Sequence, residues 1–240
     1  MQRILYASLF VLANSFSFAQ KGVYEDLLVL YVDEKYEKCL AKAEDYTLKE
    51  ATKKDPLPYL YMSMCLFEMS KKEQYQTDYP KASRDALKWA EKYRKKDKNR
   101  EFFDNYEDFW AALNTMAQDQ GENLFDEGAF SKAKPFFDSM SSYYPENPGA
   151  WLMLALCQYK TNLQKEGDMS VKEFRKAYLA IPDISRLPAD QRKLLKNALI
   201  RYSEHLGAKG QRDSARATIR LGAGHFDGEA DFKNALDDLR

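Results

Sequence analysis

Three cysteines, two histidines and 37 carboxylates are the side chains here that could bind a metal, attack a substrate or move protons. Cys39, Cys65, Cys157, His205 and His225 lie far apart and show none of the close Cys/His spacings of a zinc site. No H-E-x-x-H, phosphate-cradling glycine loop or G-x-S-x-G elbow is present. The segment RLGAGHFDG places three glycines beside His225 and reads as a linker ahead of a last helix. The acids are spread along helix faces, whereas a carboxylate hydrolase needs two converging in one cleft. These residue types predict no catalytic, cofactor or metal site, and binding is the expected activity.

Bulk composition narrows what could be bound. Of 240 residues, 37 are basic and 37 acidic. A neutral chain lacks the Lys and Arg excess that neutralises phosphates, so nucleic acid is not the expected partner. The Lys-rich run EKYRKKDKNRE is interrupted by acids and reads as a solvated helix end and loop. Residues 1–19 have the three-part layout of a secretory signal peptide: Arg3, the apolar run ILYASLFVLA, then a polar break with Ser17 and Ala19 before a cut ahead of Gln20. The apolar run is too short to span a bilayer as a mature helix. The leader holds one basic residue and no acid, so cleavage leaves 36 basic against 37 acidic residues. The ending FAQ resembles leaders of exported Bacteroidota proteins. The expected setting is the periplasm, with outer-membrane association or secretion as alternatives.

The elements that would position a binding surface are helices. Pro and Gly gather at intervals in KDPLP, YPENPG, IPDISRLP and LGAKG, and no sustained period-2 alternation appears. Phe102, Phe103, Tyr106, Phe109, Trp110 and Leu113 recur every three or four residues, as one face of an unusually long helix would. Within GENLFDEGAFSKAKPFFDSMSSYYPENPGAW, small Gly121 and Ala133 would sit where two helices touch. Gly128 would turn the chain, Phe130 and Phe137 would fill space, and Pro145 would stop the second helix. Trp151 follows Ala117 after one repeat period of about 34 residues, with Leu154 and Ala155 behind it. Ser170, Phe174, Ala177 and Pro182 then continue the pattern, read with three extra residues in the turn. Weaker echoes are Tyr59, Met62 and Ser63 with Ser83, Leu87 and Ala90; Tyr36 with Cys39; and Tyr202, Ser203, Leu206, Gly210, Ala215 and Ile219.

These spacings make residues 20–240 resemble the tetratricopeptide-repeat family, whose consensus runs W-x2-L-G-x2-Y, A-x3-F, P. The resemblance implies an all-α fold: a right-handed superhelical array of antiparallel helix pairs, an α-solenoid of about four to five repeats. The approximate units are 20–56, 57–99, 114–147, 148–184 and 196–226, with a capping helix over 229–240. All three cysteines fall at buried small-residue positions; Cys39 and Cys65, on neighbouring helices, are the pair that could join. In such an array the first helix of each pair lines a concave groove. The candidate partner-binding residues are Leu60, Met64 and Phe67; Gln118, Glu122 and Phe125; and Leu152, Leu156 and Tyr159. Neighbouring helices covering these positions is the other reading. The resemblance implies a non-enzymatic scaffold or adaptor in the cell envelope, binding a protein or peptide segment. The alternative is a carbohydrate-binding accessory protein of an outer-membrane uptake system, with Trp110 and Trp151 as sugar platforms.

Overall fold

The computed structural model describes residues 24–239, so the expected leader lies outside the described residues. Those residues form eleven α-helices and no strand: α1 (Glu25–Val32), α2 (Tyr36–Leu48), α3 (Pro56–Ser70), α4 (Ala82–Lys96), α5 (Glu107–Asp126), α6 (Phe130–Tyr143), α7 (Pro148–Lys160), α8 (Gln164–Leu179), α9 (Ala189–Ala208), α10 (Arg212–Ile219) and α11 (Ala230–Asp237). None of them is long and apolar enough to cross a membrane. Helix starts follow local chemistry. Pro56 and Pro148 stand in the first turns of α3 and α7, where a missing N–H costs nothing. Asn147 caps α7 by accepting from Ala150 N. Glu107 and Asp108 open α5, and Arg94, Lys95 and Lys96 close α4, each complementing the helix dipole.

Four consecutive pairs, α1–α2, α5–α6, α7–α8 and α9–α10, are joined by three-residue turns of one geometry. The middle residue has a left-handed backbone: Glu34 (φ 57°), Gly128 (75°), Asn162 (63°) and Gly210 (75°). The next N–H reaches back five residues: Lys35 N to Leu30 O, Ala129 N to Leu124 O, Leu163 N to Gln158 O and Gln211 N to Leu206 O, all at 2.8–2.9 Å. This is the Schellman closure, which satisfies carbonyls left over at a helix end. The small residues Cys39, Ala133, Gly167 and Ala215 each lie five positions past the left-handed one. Gly167 therefore takes the place that the sequence reading gave to Ser170. The turn before α8 holds no extra residues; the additional length lies at the end of α8. A Cβ on Gly167 would meet the Tyr159 ring at 2.5 Å, and one on Gly121 would meet Phe137 at 2.8 Å. Those approaches explain the small residues.

The α3–α4 pair departs from this form. Its connection is longer and contains a 3₁₀ turn at Glu73–Tyr75. In α4, Ala82 and Ala86 are the buried small residues, while Ser83 is only half-buried. The aromatic run before α5 is also not one helix. Phe103–Tyr106 forms a 3₁₀ turn and α5 begins at Glu107. Phe103, Trp110 and Leu113 are nonetheless buried, and Phe102, Tyr106 and Phe109 pack against the same core. Phe103 and Trp110 stack at 4.5 Å and 7°.

Packing builds the pairs into a series. Contacts run α2–α3, α4–α6, α6–α7 and α7–α9, and α11 rests on α9 and α10 through buried Phe232. Nearly every residue of α3 and α7 is buried, in keeping with helices that are apolar all round. The core has two clusters. A large one runs from Tyr59 to Phe232, and a smaller one joins α1 and α2 to one face of α3.

Candidate functional site

The residues expected to line an open groove are mostly inside the protein. Leu60, Leu152 and Leu156 have no exposure, and Met64, Phe67, Gln118 and Glu122 are buried. Only Phe125 and Tyr159 keep part of their rings in solvent. Leu60, Met64 and Phe67 are covered because α3 is packed between α2 and α4, and Leu152 and Leu156 because α7 is packed against α6, α8 and α9. For Gln118 and Glu122 the cause is a contact one pair beyond the nearest neighbour, α5 packing directly on α9. Polar side chains make this seam. Asn197 Nδ2 donates to Glu122 Oε1 at 2.9 Å, and Gln118 Nε2 donates to Glu122 Oε2 at 2.9 Å. Arg201 pairs with Asp126, and Asn114 Nδ2 donates to Asp190 Oδ2 at 2.8 Å. Tyr143 OH donates to Asn114 Oδ1 at 2.6 Å. Burial raises the Asp190 pKa above the ordinary carboxylate value.

The open concavity lies at the other end of α5. A cleft of about 920 Å³ is bounded by the end of α3, the first half of α5 and the segment leading into α9. Apolar lining comes from Phe67, Ala111, Ala112 and Met116. Its basic residues are already engaged: Lys71 with Glu68, Arg100 with Asp104, and Arg186 with Asp183. Glu107 and Asp108 on the lip have no ion-pair partner among the described residues and help the α5 N-terminus electrostatically. Gln191, at 2% exposure, also lines the cleft, and its buried Nε2 has no hydrogen-bond partner among the described residues. A buried amide donor without an acceptor is costly and stands out in a native structure.

Two residues that position this cleft escaped the sequence reading. Asp97 sits in the Lys-rich run read as solvated, yet it is buried. It accepts from Tyr93 OH, from Glu101 N at 2.8 Å and from Phe102 N at 3.1 Å, which ties down the segment entering α5. Gln191 carried no sequence signal, because a polar residue in the first turn of a helix is ordinarily solvated. Phe226 in RLGAGHFDG is buried against Phe232, so that stretch is packed and not merely a linker.

Aromatic platforms for sugars fare poorly. Trp110 is 1% exposed, and its Nε1 donates to Phe103 O at 2.9 Å. Trp151 is half-buried and donates to Pro145 O at 2.8 Å. Beside the half-open Tyr159, His205 stacks at 5.5 Å; burial, then Lys209 and Lys160, lower its pKa to about 4. Among the described residues, no three His, Cys, Asp or Glu side chains converge to hold a metal ion. No family model, curated protein or solved structure matches the chain.

Proposed function

We propose that this protein is a tetratricopeptide-like helical-repeat scaffold, exported to the cell envelope, that binds a partner's peptide segment. The bound segment would occupy the cleft beside α5 and not the originally expected groove. The observation that carries this reading is the cleft itself: an apolar floor and an acidic lip with no ion pair among the described residues. Apolar anchors supply affinity and the charged rim supplies selection. Unpaired Glu107 and Asp108 favour a segment with Lys or Arg. The four Schellman turns and the small residue five positions after each support the repeat reading. The handedness and winding of the superhelix are part of the proposal.

A photo-reactive side chain at Thr115, exposed in the cleft, tests it in cells of the host. Lys172, exposed on α8 and outside the cleft, is the control position. One partner is expected from Thr115, with the cross-linked segment containing Lys or Arg. Combined Glu107→Lys and Asp108→Lys should remove the product. Equal labelling from Lys172, or a product indifferent to the charge reversal, sinks the reading.

A further inference from the structure

The small core cluster contains two cysteines on different helices. Cys39 lies on α2, Cys65 lies on α3, and neither has any exposure. The helices pack together, and both thiols lie within the small buried cluster where α1 and α2 meet one face of α3. Cys39 Sγ also donates to Leu27 O of α1 at 3.4 Å. Where the same turn geometry recurs, the position of Cys39 holds Ala133, Gly167 or Ala215. A small residue is all the packing asks for, so a second thiol in the same cluster exceeds the packing requirement. Cys157, buried in the other cluster, has no cysteine opposite it.

We propose that Cys39 and Cys65 form a disulfide that staples α2 to α3 in an oxidising compartment, with Cys157 remaining a free thiol. The compartment rests on the export reading above; the pairing itself rests on the two helices. The co-reactant is a disulfide oxidant. The Cys39 thiolate attacks one oxidant sulfur and releases the other as a thiol. Cys65 then loses its proton and attacks Cys39 Sγ, expelling the second oxidant thiol. Two protein thiols become one disulfide, and one oxidant disulfide becomes two thiols. Burial beneath α1 means that oxidation occurs as the chain folds or when α1 lifts. The α1 helix packs chiefly on α2 and α3 and leaves Leu28, Val29 and Val32 exposed.

The full chain, expressed with its leader in an exporting host and purified without reductant, provides the test. Intact mass reports leader removal, and alkylation of the denatured chain counts thiols. Leader-free protein with one alkylated residue, Cys157, and a peptide pair joining Cys39 to Cys65 is the expected result. Three free thiols in leader-free protein would overturn the pairing. A retained leader counts against export alone; the pairing is then decided by exposing reduced, folded protein to oxidised glutathione. Formation of the Cys39–Cys65 link supports it there, and glutathione adducts or no reaction overturn it. Cys39→Ala is expected to fold, since alanine occupies the equivalent place in two other pairs. It should melt with the reduced protein and about 5–10 °C below the oxidised one. A Cys39→Ala melting temperature equal to that of the oxidised protein would remove the staple's structural role.

Discussion

At the scale of single residues, the informative groups are polar and buried. Gln191 keeps an unpaired donor where a methionine would lose nothing in packing. We expect Gln191→Met to leave stability unchanged or raise it by up to about 1 kcal/mol, because an unsatisfied buried donor is removed. A stability loss in urea titration would show that the amide has a partner inside the fold. His205 gives a pH signature. Its pKa is about 4 in the folded chain against an ordinary 6.5, so the unfolded state binds more protons between those values. Its contribution is complete above pH 6.5 and declines as pH falls towards 4. Because the ring is only partly buried, solvent screening reduces the loss between pH 7 and 5 to about 1 kcal/mol. His205→Phe, which keeps a ring against Tyr159, should flatten that slope in denaturation measured at both pH values.

At the scale of elements, the recurring turn makes a graded prediction. Asn162 and Gly128 hold equivalent left-handed positions. Asn162→Gly is expected to stabilise by up to about 1 kcal/mol and Gly128→Ala to destabilise by a similar amount, although a Cβ at Gly128 meets open space. Equal thermal shifts of the same sign would contradict the backbone argument. The turns also mark how much could be read from the sequence. Gly128 and Gly210 announce themselves, because glycine is the usual solution to a positive φ. Glu34 and Asn162 conceal the same conformation behind ordinary side chains, so the register of α8 was displaced and Gly167 overlooked. The helices and the buried small residues were visible through periodicity. Surface and interior were harder to separate. Asn114, Gln118 and Glu122 look like a solvent face because they are polar, yet they are buried, with α9 supplying Asp190 to Asn114 and Asn197 to Glu122 while Gln118 donates to Glu122 on its own helix. Sequence spacing reports which residues recur along an array. It does not report which helices beyond the nearest neighbours meet, and contacts such as α5 on α9 cover positions that spacing alone places on a surface.

At the scale of the whole molecule, the two clusters divide the chain unequally. The first two helices lean on one face of α3, whereas a continuous apolar core links α3 to α11. The proposed staple would join α2 to α3 inside the smaller cluster. The partner cleft lies at the other side of α3, where Phe67 contributes to its wall. The two features can therefore be tested independently, and neither substitution set touches the other's residues.

The direct packing of α5 on α9 has a mechanical consequence. An open helical array resembles a spring: each pair is held by its immediate neighbours, and tension is relieved by small rotations shared along its length. Here, Glu122 to Asn197 and Asp126 to Arg201 bridge over α7 like a buckle across a coil. Stretching α5 away from α9 cannot be shared among the pairs between them until those bonds break. The segment from α5 to α10 should then yield as a block, while the stretch before it remains elastic. The cleft is hinged on the rigid block by α5 and on the more compliant stretch by the end of α3, so its width is set by how far that stretch flexes against a fixed jaw.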